Sequence, residues 1–104
     1  MIKAFISQPM RGKTEEEILA VREKAIESIE RHFNQEVEVL DSYFEEYDPN
    51  KGCVPLKYLA KSLEILADAD VAYFAKGWEE ARGCRIENQC AIDYDITVIE
   101  DYEK

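Results

Sequence analysis

The stretch VAYFAKGWEEARGCRIE, residues 71–87, joins an apolar segment to a segment with helical periodicity through a short turn. Val71 to Ala75 is apolar without interruption, which is typical of a strand buried on both faces of a sheet. Residues from about Glu79 to Tyr94 have the pattern of a helix. A buried strand followed directly by a helix is the repeating unit of a parallel sheet, because the helix returns the chain to the edge where the next strand begins. The stretch therefore predicts an α/β fold.

Three further segments have the apolar character of strands, Ile2 to Ile6, Val37 to Leu40 and Ile96 to Ile99. Their alternation with helices predicts a small flavodoxin-like, doubly wound parallel sheet of about four to five strands, with helices on both faces. The length of 104 residues and the hydrophobic content of 46% fit a single domain over residues 1–104.

Two more helices complete the predicted alternation. The first begins at a T-x-x-E capping box, Thr14 and Glu17, and its apolar residues recur at helical spacing as far as Phe33. The second is indicated by an apolar stripe from Leu56 to Leu66. The residues from Asp41 to Pro55 have no clear period, so we expect a functional or mobile loop there.

The charge and composition of the chain exclude several classes of function. A formal net charge of -10 repels polyanions, so we expect no binding to duplex nucleic acid, although a small phosphate ester can still bind locally. With no charged leader and no long apolar run, we expect a cytoplasmic protein without a membrane partner. Cys53, Cys84 and Cys90 lack C-x-x-C spacing and His32 is the only histidine, so neither a disulfide framework nor a metal site is predicted, and no organic cofactor is implied.

Glu87 falls at an unusual position on the predicted third helix. On a helical wheel it lies in one stripe with Gly83, Ile86, Cys90, Ala91 and Tyr94. Gly83, one turn earlier, has no side chain to fill the space over which Glu87 leans. A carboxylate partly removed from water beside the ligand crevice suits a nucleophile or an acid/base group. The alternatives are a buried glutamate paired with Arg11, Arg82 or Arg85, or one that reaches solvent at the edge of the stripe.

The segment SQPMRGK, residues 7–13, follows the first strand and precedes the first helix. Ser7, Arg11 and Lys13, with the backbone N–H groups of the helix N-terminus, could together hold a phosphate. The segment has neither a Walker A nor a G-x-G-x-x-G pattern. The alternative is an ordinary strand-to-helix turn with solvated basic residues.

Several aromatic and acidic residues are further candidates for ligand contacts. Trp78 follows Gly77 just past the third strand, where its ring could stack on a nucleobase or cover the core. Aromatic residues of the irregular loop could stack in the same way; they are Tyr43, Phe44 and Tyr47. Asp70 directly precedes the third strand and could position ribose hydroxyls, or it could serve the turn, as could Asp68.

Taken together, these motifs resemble the nucleoside 2-deoxyribosyltransferase-like superfamily, especially its small bacterial and phage members. Its hallmarks are similar to S-x-P-M-x-G-K after the first strand and G-W-E-x-x-x-G-x-x-x-E after the third. Here they read SQPMRGK and GWEEARGCRIE, preceded by ADADVAYFAK, and the similarity covers most of the chain. Where the transferases have an acidic residue shortly before the glycine, this chain has Ala81 and Arg82. Where they have an aromatic hydroxyl that orients the nucleophile, it has Phe5 or Ser7.

The resemblance implies a catalytic role for Glu87, which would attack the anomeric carbon of a nucleoside or nucleotide with net retention, in the space left by Gly83. It also implies a homo-oligomer, because relatives complete their sites with residues from a neighbouring subunit. The alternative is a non-catalytic nucleotide-binding or sensing module with the same fold. The residues predicted to bind the small-molecule ligand are Ser7, Gln8, Pro9, Met10, Arg11, Gly12, Lys13, Asp70, Gly77, Trp78 and Gly83.

Overall fold

The structure, a computed structural model, describes residues 1–40 and 50–101. Strands and helices alternate along them as the sequence predicts. The elements in chain order are β1 (Ile2–Ser7), α1 (Glu15–Phe33), β2 (Val37–Val39), α2 (Val54–Leu66), β3 (Val71–Phe74), a 3-10 turn (Trp78–Glu80), α3 (Arg82–Asp93) and β4 (Thr97–Glu100).

Within the described residues, the four strands form one sheet in the order β2-β1-β3-β4, and every pair is parallel. Ala4 of β1 is in register with Val39 on one side and with Val71 on the other. The predicted α/β fold with a parallel sheet is therefore confirmed. This strand order corresponds to the flavodoxin-like arrangement, in which the chain leaves β1 toward one edge and β3 toward the other.

The sheet has a core on each face. On one face, Ala4, Val71 and Tyr73 pack with Ala25 and Ile29 of α1. On the other face, the alternate strand residues pack against α2, α3 and the 3-10 turn, in a cluster of Phe5, Leu66, Ala72, Phe74, Trp78, Cys84 and Ala91. Because successive strand residues point to opposite faces, the side chain of Ser7 lies on the same face as that of Phe5, toward α2 and α3.

The ends of the helices follow the local sequence. Thr14 caps α1 as predicted, since its hydroxyl accepts from the Glu17 N–H and the Glu17 carboxylate accepts from the Thr14 N–H. The predicted loop end at Pro55 is wrong, because α2 already begins at Val54 and Pro55 occupies its first turn, where its missing N–H costs no helical bond. No helix in the described part of the chain is long and apolar enough to cross a membrane.

The predicted start of the third helix is also wrong. Residues Trp78–Glu80 form a separate 3-10 turn, Ala81 is extended, and α3 begins only at Arg82. The break has a local cause, because Ala81 has φ -98° and ψ 121° and therefore leaves the helical region between the two elements. As a result, the 3-10 turn and the first turn of α3 present separate backbone segments next to the end of β3.

Candidate functional site

The carboxyl ends of β1 and β3 form the point at which the chain direction in the sheet reverses. The segment after β1 leads to α1 on one face, whereas the segment after β3 leads to α3 on the other face. In open α/β sheets, ligands bind in the crevice between two such diverging segments. A cleft of about 630 Å3 lies here, and its lining residues are Pro9, Met10, Arg11, Lys13, Lys76, Gly77, Glu80, Ala81, Arg82 and Gly83.

The two walls of the cleft approach each other at Pro9 and Gly77. A Cβ atom on Gly77 would lie 3.6 Å from Pro9 Cγ, which is an ordinary van der Waals distance. The requirement for glycine is conformational instead, because Gly77 has a φ of +87° in the tight turn where the Trp78 N–H donates to the Ala75 carbonyl. This turn brings the segment after β3 back over the segment after β1.

Basic side chains dominate the charged lining of the cleft. Arg11 and Lys13 come from the segment after β1, and Lys76 and Arg82 from the segment after β3. Glu80 is the carboxylate among the lining residues. Within the described residues, none of the four cations forms an ion pair. In a chain with 23 acidic residues, the cleft is thus locally positive.

Glu87 is held by the last residue of β1. Its side chain is only 8% exposed, and its Oε1 accepts a hydrogen bond of 2.8 Å from Ser7 Oγ, which is itself buried. Ser7 reaches Glu87 because it lies on the sheet face that α3 covers. The bond joins the point where the chain direction reverses to the middle of the helix that follows β3.

Burial raises the pKa of Glu87 above its ordinary value, because the charged form loses hydration. The hydrogen bond from the Ser7 hydroxyl and the nearby Ser62 hydroxyl of α2 oppose this shift. Among the described residues, no ion pair joins Glu87 to an arginine, and the Arg85 guanidinium instead donates to the Glu79 carbonyl at 3.0 Å. The arrangement therefore differs from a buried glutamate neutralised by arginine.

A thiol completes the polar group around Glu87. Cys84 lies one turn earlier on α3 and is buried. Burial raises the pKa of Cys84, and the nearby charge of Glu87 raises it further. Ser7, Cys84 and Glu87 thus form one polar cluster within an otherwise apolar layer.

The buried face of α3 differs from the predicted stripe. Its buried residues are Cys84, Glu87, Asn88 and Ala91, whereas Ile86 and Tyr94 are exposed. The burial of Asn88 is accompanied by a hydrogen bond, since its amide donates to the Glu100 carboxylate at the end of β4 with a distance of 2.8 Å. Glu87 nevertheless lies on the buried side, as the wheel predicted.

Gly83 lies in the wall of the cleft, one helical turn before Glu87 on α3. The position where its Cβ would be has no atom within 4 Å. Glu87 is not among the residues that line the cleft. The carboxylate therefore lies in the core behind the wall of the cleft, where it is bonded to Ser7.

Trp78 lies in the core rather than on the cleft surface. It is buried, and its ring centroid is 5.7 Å from that of Phe74, with the rings tilted by 57°. This placement matches the alternative in which Trp78 covers the core. The loop aromatics predicted to stack on a base, Tyr43, Phe44 and Tyr47, fall outside the described residues.

Asp70 is placed away from the cleft, which corrects its predicted role. It precedes β3 and lies at the amino end of the strand, whereas the cleft lies past the carboxyl end. The Asp70 carboxylate accepts from the Lys3 N–H at 2.9 Å, and its own N–H donates to the Lys3 carbonyl. Asp70 therefore closes the start of the β1-β3 pair.

The residues of the SQPMRGK segment lie in three places, which are two clefts and the core. Ser7 does not face a phosphate site as predicted, because its buried hydroxyl donates to Glu87. Met10 and Arg11 line the large cleft, and Gly12 has a φ of +77° with open space beside it. Gln8 lines a smaller cleft of about 270 Å3 on the α1 side. The capping box and the three glutamates of the first turn already compensate the helix dipole at the N-terminus of α1, so an anion in the cleft would be held by the Arg11 and Lys13 side chains rather than by the helix end.

Three functional candidates were missed by the sequence reasoning. Lys76 lines the cleft, and its position directly after β3 was a usable signal. Ser62 had no distinguishing signal, because a serine within a helix is ordinary. Asn88 appeared to lie on the solvent side of the wheel. Within the described residues, no group of three or more His, Cys, Asp or Glu side chains is arranged to hold a metal ion.

Comparison of the chain with models of protein families, with curated proteins and with solved structures gives no match. The case for a function therefore depends on the geometry of the cleft, on the Ser7–Glu87 pair and on the sequence motifs.

Proposed function

We propose that the protein cleaves or transfers the N-glycosidic bond of a nucleoside or nucleotide, with Glu87 as the nucleophile. The observation that carries this proposal is the hydrogen bond from Ser7 Oγ to Glu87 Oε1 at the point where the chain direction in the sheet reverses. A donor to one carboxylate oxygen fixes the orientation of the group and favours its ionised, nucleophilic form.

The proposed reaction has two displacements at the anomeric carbon. In the first, a Glu87 oxygen forms a bond to that carbon while the carbon–nitrogen bond breaks, and the base leaves with the bonding electrons and takes up a proton. In the second, water or another base displaces the Glu87 carboxylate from the glycosyl ester. Two inversions give net retention of configuration.

The environment of the cleft supports a nucleotide as the ligand. Arg11, Lys13, Lys76 and Arg82 provide a positive lining for phosphate, and Gly83, one helical turn before Glu87, leaves open space in the wall of the cleft. The similarity of SQPMRGK and GWEEARGCRIE to the nucleoside 2-deoxyribosyltransferase-like superfamily supports the same reaction, and membership of that superfamily is part of the proposal.

The second candidate function is nucleotide binding without catalysis. It is favoured by the 8% exposure of Glu87 and by its absence from the lining of the cleft. In this alternative, the Ser7–Glu87 pair holds α3 against β1, and the basic cleft alone contacts the ligand. The two candidates differ in whether an anomeric carbon comes within about 3 to 3.5 Å of the Glu87 carboxylate.

The test is incubation of the protein with a panel of nucleosides and their 5'-monophosphates, followed by chromatography for free base. For a substrate that is cleaved, a slow 2-fluoro-substituted sugar analogue should leave a glycosyl adduct on Glu87, located by peptide mass spectrometry. Binding of a nucleotide without base release from any compound would favour the binding module. An adduct on another residue would refute Glu87 as the nucleophile.

The proposal includes a homo-oligomer in the cytoplasm, with a small-molecule nucleoside or nucleotide as the ligand. Light scattering at micromolar protein concentration tests the oligomer, since a single particle of the 12.1 kDa chain mass would contradict it.

A further inference from the structure

The positive charge that lines the large cleft is greater than one phosphate group would neutralise. Two cations come from each wall, Arg11 and Lys13 from the segment after β1 and Lys76 and Arg82 from the segment after β3. One carboxylate, that of Glu80, offsets them. A phosphate monoester carries about two negative charges at neutral pH, so it would leave part of this positive lining uncompensated.

What distinguishes these cations from other surface charges is that four of them line one cleft without an ion pair to a described residue. The chain carries 23 acidic residues against 13 basic ones, so carboxylates are abundant. Even so, none of the four cations pairs with a described carboxylate. Like charges around one cleft repel each other, which is unfavourable for the free protein and favourable once an anion binds between them.

The shape of the cleft separates the two cation pairs onto opposing walls. The walls come together at Pro9 and Gly77, and the open cleft of about 630 Å3 between them is large enough for a ligand of nucleotide size. The wall after β3 is not offset by acidic residues at the start of α3, since the first turn of that helix contains none. The cleft lining as a whole therefore keeps a net positive charge, with four cations against the one carboxylate of Glu80.

We infer that the cleft binds a nucleotide with two linked phosphate groups, of the nucleoside diphosphate class, with one phosphate against Arg11 and Lys13 and the other against Lys76 and Arg82. A nucleoside diphosphate carries about three negative charges at neutral pH, which balances four cations and one carboxylate. The inference that the ligand contains a nucleoside depends on the proposed function. The inference that the cleft binds two linked phosphate groups depends only on the cleft.

Isothermal titration calorimetry with inorganic pyrophosphate and inorganic phosphate, at one ionic strength, tests the binding of two linked phosphate groups without a nucleoside. We expect pyrophosphate to bind at least about tenfold more tightly than phosphate. Lys76→Ala and Arg82→Ala should each weaken pyrophosphate binding by about tenfold, and Arg82→Gln serves if the alanine variant does not fold. Lys61→Ala and Arg31→Ala remove the same charges away from the cleft and should leave the affinity unchanged.

Citrate, a trianion without linked phosphates, is the control for charge alone. The inference is overturned if phosphate or citrate binds as tightly as pyrophosphate, or if the control variants lose as much affinity as Lys76→Ala. Preferential pyrophosphate binding without base release from any nucleotide would refute the proposed glycosidic function and support the two-phosphate cleft. Base release from nucleosides without a pyrophosphate preference would refute the cleft inference alone.

Discussion

The Ser7 Oγ and Glu87 Oε1 atoms lie 2.8 Å apart, although 80 residues separate them in the sequence. The bond connects the last residue of β1 with the middle of α3, and both side chains are buried. A hydroxyl that donates to a buried carboxylate favours the charged form against the effect of burial. The reactivity of Glu87 and its effect on stability therefore depend on the same contact.

Glu87→Gln should abolish base release from any nucleoside or nucleotide that the wild type cleaves, with a loss of at least about a thousandfold in rate. The amide keeps the shape of the side chain and can still accept from Ser7, but it cannot form the glycosyl ester. Free base measured by chromatography checks this. Glu23→Gln, an exposed substitution on α1, is the matched control and should keep the wild-type rate. Turnover by Glu87→Gln at the wild-type rate would remove Glu87 from the mechanism.

Glu87→Gln should also stabilise the protein more strongly at neutral pH than at acidic pH. Burial raises the pKa of Glu87 in the folded state, so the folded protein holds its proton more tightly than the unfolded chain, whose glutamate pKa is about 4.3. The stability contributed by the protonated group is complete below that unfolded value and is lost as the pH rises through the raised folded value. Glutamine remains neutral and does not undergo this loss.

Urea unfolding of both proteins between about pH 4 and pH 8 measures this effect, because unfolding free energies can be compared at each pH. The difference, Glu87→Gln minus wild type, should increase with pH and then level off. The same difference for Glu23→Gln should stay flat. A constant difference for Glu87→Gln would show that Glu87 has the same pKa in both states.

Ser7→Ala should shift the acidic limb of the pH–rate profile to higher pH. Without the donor, burial of Glu87 is less opposed, so its pKa rises further and the ionised form appears only at higher pH. Ser7→Thr keeps a hydroxyl and should return the limb toward the wild-type position. A lower rate with an unmoved limb would mean that Ser7 acts only through packing.

Trp78→Ala should lower the free energy of unfolding by about 3–5 kcal/mol, because the ring is buried against Phe74 in the core. Chemical unfolding of the purified variant measures the change. Tyr94→Ala, which removes an aromatic side chain that is 80% exposed, is the control and should cost far less. A small effect of Trp78→Ala would indicate that the ring serves a ligand rather than the core.

The sheet could be predicted because β3 is continuously apolar and the other strands are short segments rich in apolar residues that alternate with helices. Ala4, Val71 and their neighbours are buried as this pattern requires. The boundary of α3 could not be predicted, since Ala81 is a good helix former that adopts an extended conformation here only because the chain turns between β3 and the helix. At Ala81, the tertiary structure therefore overrides the local preference for a helix.

Features of the candidate site that follow from strand order and helical periodicity could be predicted. Hydrogen bonds between side chains distant in the sequence could not. Glu87 was found from periodicity and Gly83, and the amino-end position of Asp70 could also have been inferred from its place before a strand. The Asn88–Glu100 bond could not be predicted, because Glu100 lies on another element of secondary structure. For the same reason, the Ser62 hydroxyl near Glu87 left no trace in the sequence pattern.

The interior position of β1 in the sheet has a consequence for synthesis and folding. β1 precedes the other described strands in the sequence, yet one of its neighbours, β3, starts at Val71, which pairs with Ala4. During synthesis β1 is therefore exposed until β3 has been made, and the sheet closes through contacts distant in sequence, which is typical of slow folding. The strands that finally form the two edges have only three and four residues, so the finished sheet offers little backbone for another chain to join.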